Sequence, residues 1–267
     1  MSSKSAALPD FKSPPVVEVV IGVSFKYLKN FTTAHYGVFW QQIKEDYPLF
    51  EDHPPLLDPV VGPIQLQIET SANIPLRRVF FVHSQKDYLL QLQPNRFLHN
   101  WRKIDDDAPY PHFPAAKAKF DFAWNEFQRF VTNQELGTIQ LVQFEVTYIN
   151  HFVEEPGNFP QRAEFYTPLI NWQNTRSTGF LPNPTALAYN VHFPFPENQG
   201  TLYISSKHGK RDLDNKDVMI LELRARGPIR VDEPNLGTYF ELCHEWIVRG
   251  FKDLTSPEAH KQWKIIR

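Results

Sequence analysis

Apolar and polar positions alternate over residues 16–25: Val17, Val19, Ile21, Val23 and Phe25 stand against Val16, Glu18, Val20, Gly22 and Ser24. That two-residue period predicts a strand. The period then lengthens. Tyr36, Phe39, Trp40, Ile43 and Tyr47 recur at helical spacing behind Thr32 and Thr33, either of which can cap, and Pro48 ends the run. After a proline-rich loop (HPPLLDPVVGP) come three short strand-like runs, IQLQIET, RRVFFVHS and DYLLQLQ, the last two joined through Gln85 and Lys86. RFLHNWRK, residues 96–103, extends the third run beyond Pro94, a residue that predicts an edge, a bulge or a bend. The loop IDDDAPYPH follows. Then Phe113, Ala116, Phe120, Ala123, Trp124, Phe127, Phe130 and Val131 form one apolar stripe of a long helix.

The second half repeats the order. TIQLVQFEVTYINHF predicts a long strand and RAEFYTPLINWQ a weaker, proline-interrupted helix. ALAYNVHF, TLYISSK and DVMILELRA predict three strands, with ENQG as the first turn. Asn235 can cap a helix whose stripe is Leu236, Phe240, Cys243, Ile247, Phe251 and Leu254, and Ser256-Pro257-Glu258 opens a short last helix. The expectation is an α+β fold: a polar leader (1–13) followed by two pseudo-repeated β-α-β-β-β-α halves, 14–135 and 136–267, packed as one compact unit. Antiparallel sheets would cover long helices, as in helix-grip and TATA-binding-protein-like folds.

If the aliphatic side of each strand meets the helices, the opposite side carries Glu18, Gly22, Ser24 and Lys26 on the first strand and Gln91 and Gln93 on DYLLQLQ. It carries Gln143, Glu145 and Thr147 on the long central strand and Glu222, Arg224 and Arg226 near the end. Such groups cannot be buried unpaired. They face water, a ligand or a partner; the simplest arrangement is a solvated face with cross-strand Glu–Arg pairs.

Composition adds boundaries. A net charge of −2 lacks the basic excess of a phosphate-backbone binder, so duplex DNA is a poor partner, although RNA is not excluded. The single cysteine, Cys243, permits no intramolecular disulfide and lies on an apolar stripe, so a reducing, cytoplasmic setting and a core role are expected. No signal core and no membrane-length apolar window occur. Phosphate loops, GxGxxG, GxSxG, CxxC and HExxH are all missing, so no cofactor or metal is expected. DLDNKD imitates a calcium loop but lacks its bend glycine and its closing Glu.

Ten histidines invite an acid–base site. His99 and His151 each stand beside an Asn at a strand end, and with Glu145 they would make a hydrolase- or transferase-like centre if the strand ends adjoin. Otherwise each histidine satisfies local backbone groups. The candidate binding set is Arg96, His99, Asn100, Trp101, Arg102, Glu145, Tyr148, Asn150, His151, Arg224 and Arg226. Arg230, Lys207, His208, Lys210 and Arg211 make the surrounding region the most basic of the chain, either an anion or RNA site or a charged hairpin. The leading expectation is binding of a small ligand or a protein partner, through the polar face or the cleft between halves. A second copy of the chain is a further candidate partner.

LPDFKSPPVVEVVIGVSF, RFLHNWRK, FEVTYINHF and FKDLTSPEAHKQWK, taken in order, resemble a sporadically distributed family of uncharacterised bacterial proteins of about this length. The resemblance spans essentially the whole chain. It implies no activity, cofactor or catalytic residue; its patchy distribution implies an accessory role such as defence or toxin–antitoxin pairing.

Overall fold

The computed structural model describes residues 7–56, 76–153, 188–211, 213–230 and 235–266. In chain order the elements are β1 (Val16–Phe25), α1 (Thr33–Ile43), β2 (Leu49–His53), β3 (Arg78–Val82), β4 (Tyr88–Gln93), β5 (Arg96–Arg102) and α2 (His112–Asn133). β6 (Leu141–Val153), β7 (Ala188–Pro194), β8 (Thr201–Lys210), β9 (Asp217–Pro228), α3 (Leu236–Leu254) and α4 (Pro257–Gln262) follow. The strands form one sheet in the order β2-β3-β4-β5-β1-β6-β9-β8-β7, with every neighbouring pair antiparallel. The fold is mixed α+β.

Strand alternation divides the sheet into two faces. Val19, Ile21, Val23 and Phe25 point at the helices, where Phe25 meets the rings of Trp124 and Phe127 on α2. Phe97 of β5 stacks on Phe127 at 5.0 Å, and Phe39 of α1 lies 5.6 Å from Phe81 of β3. On the other half of the sheet Phe144 stacks on Tyr239 of α3 at 4.5 Å, and Phe120 touches Phe240 edge-on, joining α2 to α3. All eight residues of the α2 stripe are buried. The caps follow the sequence: Asn235 Oδ1 accepts from the Gly237 N–H, and Ser256 Oγ from the Ala259 N–H. No helix of the described residues is long and apolar enough to cross a membrane.

Several expectations need correcting. RFLHNWRK does not extend β4 but turns back on it: Pro94 and Asn95 form a two-residue turn, and β5 lies between β4 and β1, away from any edge. Proline is tolerated because it occupies the turn, where its carbonyl accepts from the Leu28 N–H. Leu49–His53 forms a strand, at the edge of the sheet among the described residues, that its irregular polarity concealed. The polar leader is partly structural: Phe11 is buried against Phe251 and Trp263, and its segment pairs with residues near Ile265. The expected strand IQLQIET and helix RAEFYTPLINWQ lie outside the described residues.

Candidate functional site

The two-faced sheet sorts the sequence candidates. Arg96, Asn100 and Arg102 of β5 point away from the helices, as do Glu145 and His151 of β6 and Arg224 and Arg226 of β9. Phe97, His99 and Trp101 point into the helix layer, together with Tyr148 and Asn150. His99 and Glu145 are therefore on opposite faces. His99 is level with Val146, so His151 is two strands away and five residues further along, about 19 Å at ordinary strand spacings. The trio His99, His151 and Glu145 does not assemble. Nor is His99 at a strand end: it lies mid-strand, buried, with Nε2 3.2 Å from the Tyr47 hydroxyl, and burial pushes its pKa down to about 3.

On the face away from the helices, polar side chains pair across strands, and the expectation of a solvated face needs correcting: Gln91, Gln93, Asn100 and Thr147 are buried, with Gln93 Oε1 accepting from the Leu56 N–H. Arg78 donates to Gln91 (2.9 Å), Gln91 to Asn100 (2.9 Å) and Asn100 to Glu18 (2.6 Å), and Arg102 reaches the same carboxylate at 3.4 Å. Glu145 is paired in register with Arg226 and Thr147 with Arg224, which also holds Glu222 at 2.8 Å. The face is not polar throughout: Phe80, Val82 and Leu89 make a second small apolar cluster, with the His53 ring stacked 3.9 Å from Phe80. Much of the basic segment is engaged by partners. Arg211 bridges Asp106 and Asp214, Lys210 pairs with Asp217, and Arg230 donates to the Glu197 carbonyl. Asp214 and Asp217 of the calcium-like segment are thus engaged by cations, and the Arg211 guanidinium holds the Asp214 carboxyl well below the usual carboxylate range. Asp212 lies outside the described residues. Cys243 is fully buried, donates to the Ala225 carbonyl, and has its thiol pKa raised by burial.

The helix-side candidates meet a cavity of about 370 Å³. Its floor is the centre of the sheet, with Tyr148 and Asn150 on β6, Val16 on β1 and Leu223 on β9. One wall is α3, through Glu241, His244, Ile247 and Val248; the facing wall is the start of α2, through Phe113 and Pro114. Asp10 and Phe11 of the N-terminal segment close a third side.

A hydrogen-bonded chain runs through this lining. The Tyr110 and Tyr148 hydroxyls are 2.9 Å apart, and the Tyr148 hydroxyl is 3.0 Å from His244 Nδ1. Each member is positioned by packing. His244 stacks on Phe113 at 4.1 Å with the rings nearly parallel, and Tyr110 packs against Trp101 at 5.5 Å. Asn150 Nδ2 is anchored to the Leu221 carbonyl at 3.2 Å. Burial raises both tyrosine hydroxyls above their ordinary value and lowers His244 to about 4, so at neutral pH the chain is uncharged. His112 begins α2 at φ +61, a left-handed conformation that costs a non-glycine residue energy. The arrangement offers hydrogen bonding and aromatic surface in a hollow whose lining is mostly apolar but also includes Asp10, Asn150 and Glu241, the usual constitution of a small-molecule site.

Of the sequence candidates, the cavity brings together Tyr148 and Asn150, with Trp101 supporting Tyr110 from behind. Tyr110, His112, Glu241, His244 and Asp10 were not among the candidates. The YPHFP stretch, which leads into α2, was a local signal for Tyr110 and His112; no local pattern marks Asp10, Glu241 or His244. Among described residues no group of three or more His, Cys, Asp or Glu side chains is placed to hold a metal ion. No family model matches the chain, and no curated protein matches it significantly.

Proposed function

We propose that the protein is a ligand-binding module in which two pseudo-repeated halves hold a small molecule in the cleft between them. The strand order supports such halves: outward from β1 run β5, β4, β3 and an additional strand, β2, and outward from β6 run β9, β8 and β7, with α2 and α3 closing the respective units. In this reading the sheet packs onto α2 and α3 in the manner of helix-grip and TATA-binding-protein-like folds. The observation that carries the function is the cavity between those helices, apolar in most of its lining yet backed by the buried Tyr110–Tyr148–His244 chain. A hydrolase- or transferase-like centre built on His99, His151 and Glu145 has no support, since these residues do not meet.

The test is thermal stabilisation by a fragment library, on the native chain and on Val248→Trp, which fills the cavity from α3. A ligand at one hundred times its Kd contributes about 2.7 kcal/mol, which for a chain of this size raises Tm by roughly 5–10 °C. Stabilisation by at least one fragment, lost in Val248→Trp, is expected. No stabilisation, or stabilisation that survives the filled cavity, contradicts the proposal.

A second reading places a protein partner on the sheet face away from the helices, favoured by a groove of about 200 Å³ where Tyr203, Glu222, Arg224 and Arg226 converge. An accessory role in defence or toxin–antitoxin pairing is compatible with either reading.

A further inference from the structure

We infer that the ligand of this cavity is a neutral molecule presenting a carbonyl-type oxygen, a hydrogen-bond acceptor, from an apolar body. The inference rests on the reading of the cleft as a ligand site and adds the chemical class. It follows from a count of protons. The Tyr110 and Tyr148 hydroxyls carry one donor each, and the neutral imidazole of His244 carries a third. Two bonds, at 2.9 Å and 3.0 Å, join these groups, and each consumes one donor. One donor is therefore left over, whichever way each bond is polarised. With both tyrosines donating toward His244 Nδ1, the spare proton is on Nε2; with the chain reversed, it is on the Tyr110 hydroxyl. The count holds near pH 7, because burial lowers His244 to about 4 and raises both hydroxyls. All three side chains line the cavity, and among the described residues they make no other hydrogen bond. The lining carboxylates Asp10 and Glu241 are thus not bonded to the chain and do not take its spare proton. Asn150, two residues along β6 from Tyr148, adds to the excess: only one of its two amide N–H groups is spent, on the Leu221 carbonyl.

The spare donor sorts the alternatives. A buried donor left without a partner costs more than an ordinary hydrogen bond contributes. Water offers such a donor an oxygen, and a ligand that displaces water without replacing that acceptor loses affinity. A hydrocarbon does this. A ligand whose polar group is an N–H adds a further donor to a chain that already has one too many. A carboxylate accepts well, but it must shed its water in surroundings that hold His244 neutral, and its charge is penalised there. A ketone or ester carbonyl accepts without that penalty, while its apolar body covers Val16, Leu223, Ile247 and Val248.

Two bicyclic probes of nearly one size separate these cases: 1-indanone, which only accepts, and indole, whose N–H donates. Each is titrated calorimetrically into the native chain and into Val248→Trp, and the carbonyl stretch of bound 1-indanone is read by infrared difference spectroscopy. 1-Indanone is expected to bind the native chain at least about threefold more tightly than indole. Its carbonyl stretch should fall below its frequency in hexane, the signature of an accepted hydrogen bond, and Val248→Trp should abolish its binding. The affinity ratio and the infrared shift are read on the native chain and do not depend on the variant. Indole binding as tightly as 1-indanone, or a bound carbonyl stretch that matches hexane, overturns the acceptor class and leaves the cleft as a ligand site. Binding of 1-indanone that survives in folded Val248→Trp overturns the inference, since the ketone then sits elsewhere. Failure of 1-indanone to bind also overturns it; if the fragment library fails too, the reading of the cleft falls with it.

Discussion

The Tyr148 hydroxyl is the middle member of the chain behind the cavity, and replacing Tyr148 with Phe removes that oxygen alone. Two hydrogen bonds are lost together, one to Tyr110 at 2.9 Å and one to His244 at 3.0 Å. Each bond contributes about 1 kcal/mol net, and a buried partner left unpaired costs about 1–3 kcal/mol. The adjoining cavity lets water reach part of the exposed set, so the expected loss is about 2 kcal/mol rather than the upper sum. Tyr110→Phe is different. It removes the terminal hydroxyl while Tyr148 keeps His244, and should cost about 1 kcal/mol. Once Tyr148→Phe is present, Tyr110→Phe has no bond left to break, so the double variant should cost less than the sum by about 1 kcal/mol. The assay is equilibrium urea unfolding of the four proteins at pH 7, where the midpoint shifts at constant slope. Equal costs for the two single variants, or strict additivity in the double variant, would refute the chain as drawn.

Other expectations follow from single residues. Gly22 faces Leu98 across the β1–β5 pair, and an added Cβ would lie 2.1 Å from Leu98 Cδ2 and 2.8 Å from the Phe97 carbonyl oxygen. Gly22→Ala should therefore destabilise by about 1–3 kcal/mol in the same unfolding assay, and an unchanged midpoint would contradict that close approach. His99 and His244 are buried neutral with pKa values lowered to about 3 and about 4, so the unfolded chain takes up their protons first as pH falls. Stability from these two groups is full above about pH 6.5 and is lost toward pH 4, at up to about 1.4 kcal/mol per pH unit for each histidine. His244→Asn should remove about half of the slope contributed by the pair between pH 6 and pH 4.5; an unaltered slope contradicts the burial of His244. Cys243, buried with a raised thiol pKa, should resist a disulfide reagent in the native state and react fully in denaturant; fast native labelling would contradict its placement.

Much of the fold is legible in the sequence because alternation and helical stripes are local properties. The α2 and α3 stripes and the division of β1, β6 and β9 into two faces all follow from period alone. RFLHNWRK shows where that stops. Its eight residues look like one polar cluster, yet alternation sends Arg96, Asn100 and Arg102 to one face and His99 and Trp101 to the other. Whether Pro94 bends a strand or makes a hairpin depends on what β5 pairs with, which local period does not encode. The candidate site was less legible. Tyr148 and Asn150 lie on the predicted strand, but their neighbours come from the N-terminal segment, the start of α2 and the flank of α3. Their meeting depends on the packing of α2 beside α3 through Phe120 and Phe240, a contact 120 residues apart in sequence.

The central claim is that a small molecule binds at the helix-side centre of the sheet. Methyl-resolved NMR of the selectively labelled chain tests it most directly. A stabilising fragment should shift the methyl signals of Val16, Leu223, Ile247 and Val248 around the cavity. Those of Val82 and Leu89, in the apolar cluster on the opposite face, should stay in place. Shifts confined to Val82 and Leu89, or no site-specific shifts with any fragment, would contradict the account.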